Sequence, residues 1–455
     1  MSRFWMLDTL WLLALILFAA AGLMLAPFHG DEAMHIYTST DYATAYLNGQ
    51  PGQLPVAPPY DIDSDPRLRL LNGSVMRYSI GLSWHLRGLT PADLPQRPGW
   101  DWGIDYDQNI ANGRRPSEPL LASGRIAALV YLAGSIAALF GIGRVIAGRP
   151  LAYLASALYA LHPVILLNGR RSLVESALLC FGLLLMLIAL QIVRRHAEGR
   201  RGLWAWWAAL TVTAALTLAS KYSGTIFVAA AYGGIGLAAA LRYLEMLRIH
   251  HRGTEDAEKQ SKNQHLVTLL SAAGRLIVSG ALAIVLLVAI SPALWNDPLA
   301  RARDLTAMLQ EQVDIVVSIL PDAPTTLAQR IEGIITQPFI AAPQFFEQAA
   351  WANARAIADE IQRYMASPLS GVQYGLLLGT PLTLLAAFGI LAACWPRLRP
   401  YQPGALSLVL LVWLLVVVAN LLINPLPWQR YYLALIPPAA LFAGLGILAV
   451  LHLRR

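Results

Sequence analysis

Two adjacent carboxylates, Asp31 and Glu32, stand just beyond the first long apolar run of the chain, residues 7–27, whose single charge is Asp8 at its start. Ionised groups against a hydrophobic span are costly, so they usually mark a site. Neighbouring residues cannot both aim at one atom, which gives the pair different roles: one a general base, the other a group that orients or tunes it. An equal alternative is that the acids cap the helix starting at Ala33, whose free N–H groups and dipole favour negative charge. A further acid, Glu175, lies at the mouth of a later apolar run, just after Arg170 and Arg171. Arg171 and Glu175 are four apart, a spacing that permits an ion pair on one helix face. The other reading sets Arg170 or Arg171 on a phosphate, which a planar guanidinium grips with two parallel hydrogen bonds, and turns Glu175 towards the reacting partner.

Lys221-Tyr222 interrupts the apolar stretch from Trp204 to Ala240. A lysine there must be paired or must snorkel to an interface. Arg430-Tyr431-Tyr432, following Pro425 and Pro427, opens the last apolar run in the same way. His29 and His35 flank the first carboxylates, a set that could ligate a divalent metal, although the spacing matches no established motif. The chain has no GxxxxGK[ST] loop, no HExxH and no GxSxG, so the machinery of an ATP-driven pump, a zinc protease or a serine hydrolase is missing.

The elements that must position these residues are membrane spans. Of the 455 residues, 56% are hydrophobic and 13% are charged, about half the charge content of a soluble domain. The formal charge of +7 comes from basic residues at span ends, which membrane topology explains without nucleic acid. Cys180 and Cys394 fall in or at the end of apolar runs, which argues against a disulfide framework or a zinc site. The run after Arg3 is longer than a signal-peptide core and lacks a small-x-small cleavage site, so it reads as a retained anchor. The predicted fold is all-α: a polytopic integral membrane protein with about ten transmembrane helices. They cover residues 7–27, 121–143, 150–167, 173–193, 203–219, 222–242, 266–290, 372–394, 405–423 and 431–451. No internal repeat is visible.

The organisation follows: a first helix (1–27), an outer segment (28–120), helices two to seven (121–291), a second outer segment (292–371) and three C-terminal helices (372–455). With the N-terminus cytoplasmic, the loops holding Arg144 and Arg149, Arg194-Arg195, Arg200-Arg201, 242–265, Arg397 and Arg399, and Arg454-Arg455 all fall inside, as the positive-inside rule favours. Asp31, Glu32, Arg170, Arg171, Glu175, Lys221 and Arg430 then lie on or near the outer side. Basic residues there run against the orientation bias; they either answer to something anionic or are stray arginines in short loops. In the first outer segment Val75 to Leu89 is amphipathic, with Ile80, Trp84 and Leu86 alternating with Arg77, His85 and Arg87. In the second, Phe339, Phe345, Phe346 and Trp351 stand among polar residues. Both read as interfacial helices around a cavity open to a lipid-borne substrate, or as plain loop packing.

In order along the chain, these pieces resemble the GT-C superfamily of polyprenyl-phosphate-sugar-dependent glycosyltransferases, in particular the protein O-mannosyltransferase and aminoarabinose-transferase branch. The resemblance is carried by Gly30-Asp31-Glu32 after the first helix, the interfacial stretch Val75–Leu89, and Arg125 in Ser123-Gly124-Arg125-Ile126. It continues with His162-Pro163 followed by Arg170, Arg171 and Glu175, then Lys221-Tyr222, and last Arg430-Tyr431-Tyr432 with Pro437-Pro438. Met76-Arg77-Tyr78 stands where many relatives have Lys-Pro-Pro, which leaves Arg77 as the candidate phosphate ligand on that loop.

The resemblance implies an inverting hexosyl or pentosyl transferase using a polyprenyl-phosphate sugar, with undecaprenyl phosphate the carrier in a bacterial inner membrane. Transfer would occur on the extracytoplasmic face, to a protein, glycan or lipid acceptor. Asp31 would be the catalytic base, with Glu32 and Glu175 in support. Arg77, Arg170, Arg171, Lys221, Tyr222, Arg430 and Tyr431 would bind substrate, and no metal or other cofactor would be required. Membrane lipids are the remaining partners, and nucleic acid is not one. The competing class is a transporter or flippase of a lipid-linked saccharide, which calls for internal two-fold repetition or a polar trail across the bilayer.

Overall fold

The structure is a computed structural model. It describes residues 3–453 except 63, 96–98, 102, 201, 250–254, 320–325, 348–353, 396–403 and 427. Trp102, Arg201, Trp351, Arg397, Arg399, Pro427, Arg454 and Arg455 therefore lie outside the described residues. The described chain is helical, and 8 of its helices are long and apolar enough to cross a membrane. One of these, Glu118–Ala160, contains non-helical residues at Ala147 and at Gly148, whose φ of 77° favours glycine. It is a hairpin, because the Tyr159 hydroxyl donates to Ser135 Oγ at 3.0 Å. On a straight helix that separation in sequence would span about 36 Å. The arms pack so closely that a Cβ on Gly143 would come within 2.7 Å of the Ala152 Cα. With the hairpin resolved and the shorter apolar helix Trp204–Ser220 included, the apolar segments predicted from the sequence lie mainly on helices, but the predicted span 150–167 is broken at 161–162.

The hairpin turn is tied to the first helix, Arg3–Ala21. Asp8 accepts from Arg149 Nε at 3.0 Å and from the Tyr153 hydroxyl at 2.6 Å, with Arg144 at 3.6 Å. The one charge of the first span is thus matched at this end of the bundle. After the hairpin, His162 and Pro163 break the helix: the His162 imidazole accepts from the Val164 N–H and so caps Pro163–Arg170. Proline at the first helical position has no N–H to leave unpaired.

At the other end lie the two long segments between spans. The first contributes helices Gly30–Thr38, Asp65–Leu71 and Ser74–Leu86. The predicted amphipathic stretch is the last of these, but it is more enclosed than an interfacial helix. Met76, Ile80 and Trp84 are fully buried, while Leu82 and Leu86 are exposed. Its approach to the chain near Tyr42 is possible because position 81 is glycine; a Cβ there would run into the Tyr42 side chain. The second segment contributes Pro298–Ile319, Leu327–Thr336 and Arg355–Ala366. Its Phe339 and Phe346 are buried against the bundle.

Helices Gly375–Cys394 and Ile436–Leu453 meet through glycines. A Cβ on Gly389 would collide with the Phe442 carbonyl, and one on Gly446 with the Leu385 carbonyl. In lipid, helix association depends on such close backbone approach, because apolar surface alone gains little over lipid tails. Gly389→Leu should therefore destabilise by about 1–3 kcal/mol or more, read as a lower midpoint in detergent thermal unfolding followed by tryptophan fluorescence. Gly274→Leu, where none of the described residues lies within 4 Å of the added Cβ, should leave the midpoint unchanged.

Candidate active site

Helix Gly30–Thr38 begins with an unusual cap. His29 is extended (φ −121°, ψ 136°); its Nδ1 accepts from the Asp31 N–H at 3.1 Å, and its own N–H donates to Glu32 Oε2 at 3.1 Å. Because Nδ1 accepts, the imidazole proton sits on Nε2, which lies 3.0 Å from Glu347 Oε2. Position 30 must be glycine, since a Cβ there would meet the Trp100 ring.

From this shared start the two acids diverge. Glu32 is 0% exposed and fully bonded. Arg125 Nε and Nη2 each donate to it at 2.9 Å, and so does the Ser172 N–H. Burial alone would raise its carboxyl, but Arg125 and these bonds hold it below the usual range. Asp31, one residue earlier and about 100° round the helix, keeps its side chain partly exposed. Its Oδ2 accepts from Arg430 Nη1 at 2.7 Å, and the same Nη1 lies 3.2 Å from Glu347 Oε1. Glu32 thus serves the cap and the core, while the Asp31 side chain stays 20% exposed.

Glu347 is the residue that sequence reasoning missed. Burial would raise its carboxyl, yet Arg430 and His29 bring it far below normal. Phe346 beside it stacks on the His29 ring, centroids 5.2 Å apart. The neighbouring aromatics at 345–346 were the only signal in the sequence that this stretch folds inward. His29, Asp31 and Glu347 have ligand atoms within 4.8 Å of one another and could hold a divalent cation. Here the Arg430 guanidinium touches both carboxylates and supplies the positive charge between them.

Beside this group Lys221 Nζ lies 2.8 Å from Glu175 Oε1 and 5.5 Å from the centre of the Tyr431 ring. Tyr431 stacks on Trp428, over which Arg430 also rests, 5.1 Å from the ring centre. Tyr222 opens the short turn that follows Lys221. His35, one turn beyond Asp31, is buried in the same cluster. Desolvation pushes it down to about 4, against the opposing pull of Asp31 and Glu175. Asp31, Glu175, Lys221, Arg430 and Tyr431 are therefore brought together.

Of the remaining predicted phosphate ligands, Arg77 and Arg170 lie elsewhere, whereas Arg171 borders the cluster and lines a small pocket with His29, Glu347 and Arg430. The expected Arg171–Glu175 pair does not form, because Arg171 precedes the helix Val174–Ala197 and reaches the Pro27 and Phe345 carbonyls, each at 3.0 Å. Arg170 donates to the Phe18 and Ala19 carbonyls at 2.9 and 2.8 Å. These carbonyls end the first helix and have no partner within it. Arg77 turns inward to Asp41 Oδ2 at 2.6 Å and to the Asn72 and Arg69 carbonyls. Each of the three is at most 3% exposed. A cavity of about 990 Å³ lined in part by His196, Arg242 and Arg275 lies at the other end of helix Val174–Ala197, about 30 Å from Glu175. It has no part in this cluster.

Residues 109–272 match the family of dolichyl-phosphate-mannose-protein mannosyltransferases. That stretch carries Arg125, Arg170, Arg171, Glu175, Lys221 and Tyr222, and the match agrees with the resemblance drawn from the motifs. Among solved structures the chain is similar to ArnT of Cupriavidus metallidurans bound to undecaprenyl phosphate, with 12% identity and a TM-score of 0.49, over 98% of this chain and 60% of that one. It is similar also to the apo oligosaccharyltransferase of Archaeoglobus fulgidus, with 13% identity and a TM-score of 0.49, over 100% of this chain and 52% of that one. The chain thus spans between half and three-fifths of the length of these proteins. Comparison with curated proteins gives no match.

Two predictions test the division of roles. Glu32→Ala strands the Arg125 charge in a dry site and should cost about 3–5 kcal/mol, whereas Asp31→Asn should unfold near the wild-type temperature. For His35 the folded form resists protonation, so stability is full above the unfolded value of 6.5 and is lost as pH falls towards about 4. The loss at pH 5 is on the order of 2 kcal/mol. Unfolding midpoints at pH 7 and pH 5 should differ more in the wild type than in His35→Asn.

Proposed function

We propose that the chain is a membrane-embedded, inverting glycosyltransferase that moves a hexosyl or pentosyl group from a polyprenyl-phosphate donor to an acceptor hydroxyl. The observation that carries this reading is Asp31, an accessible carboxylate held 2.7 Å from Arg430 with Lys221 nearby, at one end of an apolar helical bundle. A base beside two cations suits a reaction in which a hydroxyl loses its proton while a phosphate departs. The family match over residues 109–272 supports the same chemistry.

In the reaction, Asp31 takes the proton of the acceptor hydroxyl as its oxygen bonds to the anomeric carbon. The bond from that carbon to the phosphate oxygen breaks, and the electron pair leaves with the polyprenyl phosphate. Arg430 and Lys221 meet the growing charge on that phosphate, where preorganised donors in a dry site contribute most. Among the described residues Arg430 Nε is buried without a partner and is available for a second bond. A phosphate drawing Arg430 towards itself would loosen its hold on Asp31, so the donor would free the base. Glu347 would keep the guanidinium in place meanwhile. Glu32 orients the helix that presents Asp31, Glu175 holds Lys221, and Tyr222 and Tyr431 border the donor. Arg77 and Arg170, both buried on backbone carbonyls, build the site, and Arg171 lines the small pocket beside Arg430 and Glu347.

The carrier is undecaprenyl phosphate in a bacterial inner membrane, the N-terminus is cytoplasmic, and the site opens outside. Arg144, Arg149, Arg194, Arg195 and Arg242 at the opposite end support this orientation. With Arg430 supplying the charge between the carboxylates, no metal is required.

Transfer from radiolabelled polyprenyl-phosphate sugars into membranes tests the proposal. Wild type should transfer, Asp31→Asn should lose about 10²–10⁴-fold while staying folded, and EDTA should change neither. Equal rates in both proteins would remove Asp31 as the base. Movement of the lipid-linked sugar across the bilayer without transfer would make the chain a transporter.

A further inference from the structure

We propose that a polar cavity at the far end of helix Gly30–Thr38 binds a neutral polyhydroxylated chain, so that the acceptor presented to Asp31 is a saccharide; this rests on the transfer reaction proposed above. The cavity measures about 350 Å³ and is lined in part by Tyr37, Thr38, Thr40, Thr44, Asp65 and Arg69. Its size suits a small ligand, but such pockets are usually apolar. This one is built mainly of hydroxyl, carboxylate and guanidinium groups, which calls for a polar occupant.

The charges in its wall are balanced only together with a guanidinium buried behind it. Asp41 accepts from Arg69 Nε at 2.9 Å and from Arg77 Nη1 at 2.6 Å, and Arg69 also lies 3.6 Å from Asp65. Asp41 and Asp65 in the wall are thus met by Arg69 in the wall and by Arg77 buried behind Asp41, a balance that leaves little net field to collect a phosphate or a cation. The hydroxyls are polarised one way. Thr38 donates to the His35 carbonyl, Thr40 to the Tyr37 carbonyl, and Thr44 to the Thr40 carbonyl. Their protons are spent on the backbone, and their lone pairs remain as acceptors. Asp65, whose side chain is 45% exposed, adds further acceptor capacity beyond the 2.8 Å bond it receives from the Tyr37 hydroxyl. Burial, with Asp65 beside it, pushes the Tyr37 phenol up to about 12, so it stays protonated and keeps that bond. A wall rich in acceptors and balanced by Arg77 behind it matches a ligand rich in hydroxyl donors. A peptide offers fewer donors and would leave much of the wall unpaired, and that mismatch is what such sites reject.

The position fits the same role. Thr38 is seven residues beyond Asp31, two turns along the same helix face and about 10 Å away. Arg430 and Glu347 gather at the opposite, N-terminal end of that helix. A glycan whose reacting hydroxyl sits at Asp31 would lay its neighbouring rings towards the cavity, away from the donor's phosphate.

Saturation-transfer NMR on the full-length protein in detergent tests this with mannotetraose, maltotetraose and chitotetraose, against a serine- and threonine-rich peptide. At least one tetrasaccharide should bind the wild type. Thr44→Trp, which fills the cavity, and Asp65→Asn, which spares the fold, should each weaken it at least tenfold. Both variants should keep wild-type thermal midpoints and wild-type binding of polyprenyl phosphate. Binding of the peptide alone, of no probe, or of saccharide unaltered in both folded variants would overturn the proposal. Failure of the transfer reading would register separately, as a wild type that neither binds nor turns over the lipid donor.

Discussion

The Glu32–Arg125 ion pair is the constraint on which the site depends. It is dry, and a buried ion pair is tolerable only where every remaining lone pair and proton is met. Here they are met by three separate parts of the chain. The Ser172 N–H and the His29 N–H complete the carboxylate, and the Leu23 carbonyl accepts from Arg125 Nη1 at 3.2 Å. One pair therefore joins the end of the first helix, the first arm of the hairpin, the loop before Glu175 and the start of helix Gly30–Thr38. Asp31 inherits its direction from that anchor. Helical geometry turns it away from that anchor once its neighbour is fixed.

A second pattern is the use of arginine to finish helices. Wherever a span ends inside protein rather than in water, its last carbonyls need donors. Arg170 supplies them for the first helix. Arg330 does so for Gly404–Ile423, donating to the Leu422 carbonyl at 2.7 Å. Arg242 donates to the His196 carbonyl at 2.6 Å, near the end of Val174–Ala197. Guanidinium suits the task because it carries several fixed donors and stays charged when desolvated.

That pattern explains what could be read from the residues and what could not. Hydropathy located the spans, and the placement of Asp31, Glu175, Lys221 and Arg430 against span ends picked out residues that do meet in space. It could not separate Arg430, which pairs with carboxylates, from Arg170 and Arg171, which solvate backbone, because both classes stand at the same kind of border. Arg77 was unreadable for a related reason: its partner Asp41 lies 36 residues away, outside any local pattern. Glu347 sits in a segment without strong periodicity, and only the long-range contact to His29 and Arg430 gives it meaning.

The Asp31–Arg430 contact closes a sequence separation of 399 residues. At synthesis rates of about 5–20 residues per second, Asp31 would emerge roughly 20–80 s before the arginine that neutralises it. During that interval the nascent protein would carry an unpaired carboxylate beside its first anchor and no cation from the final span. Assembly of the centre thus waits for integration of the span that Arg430 opens.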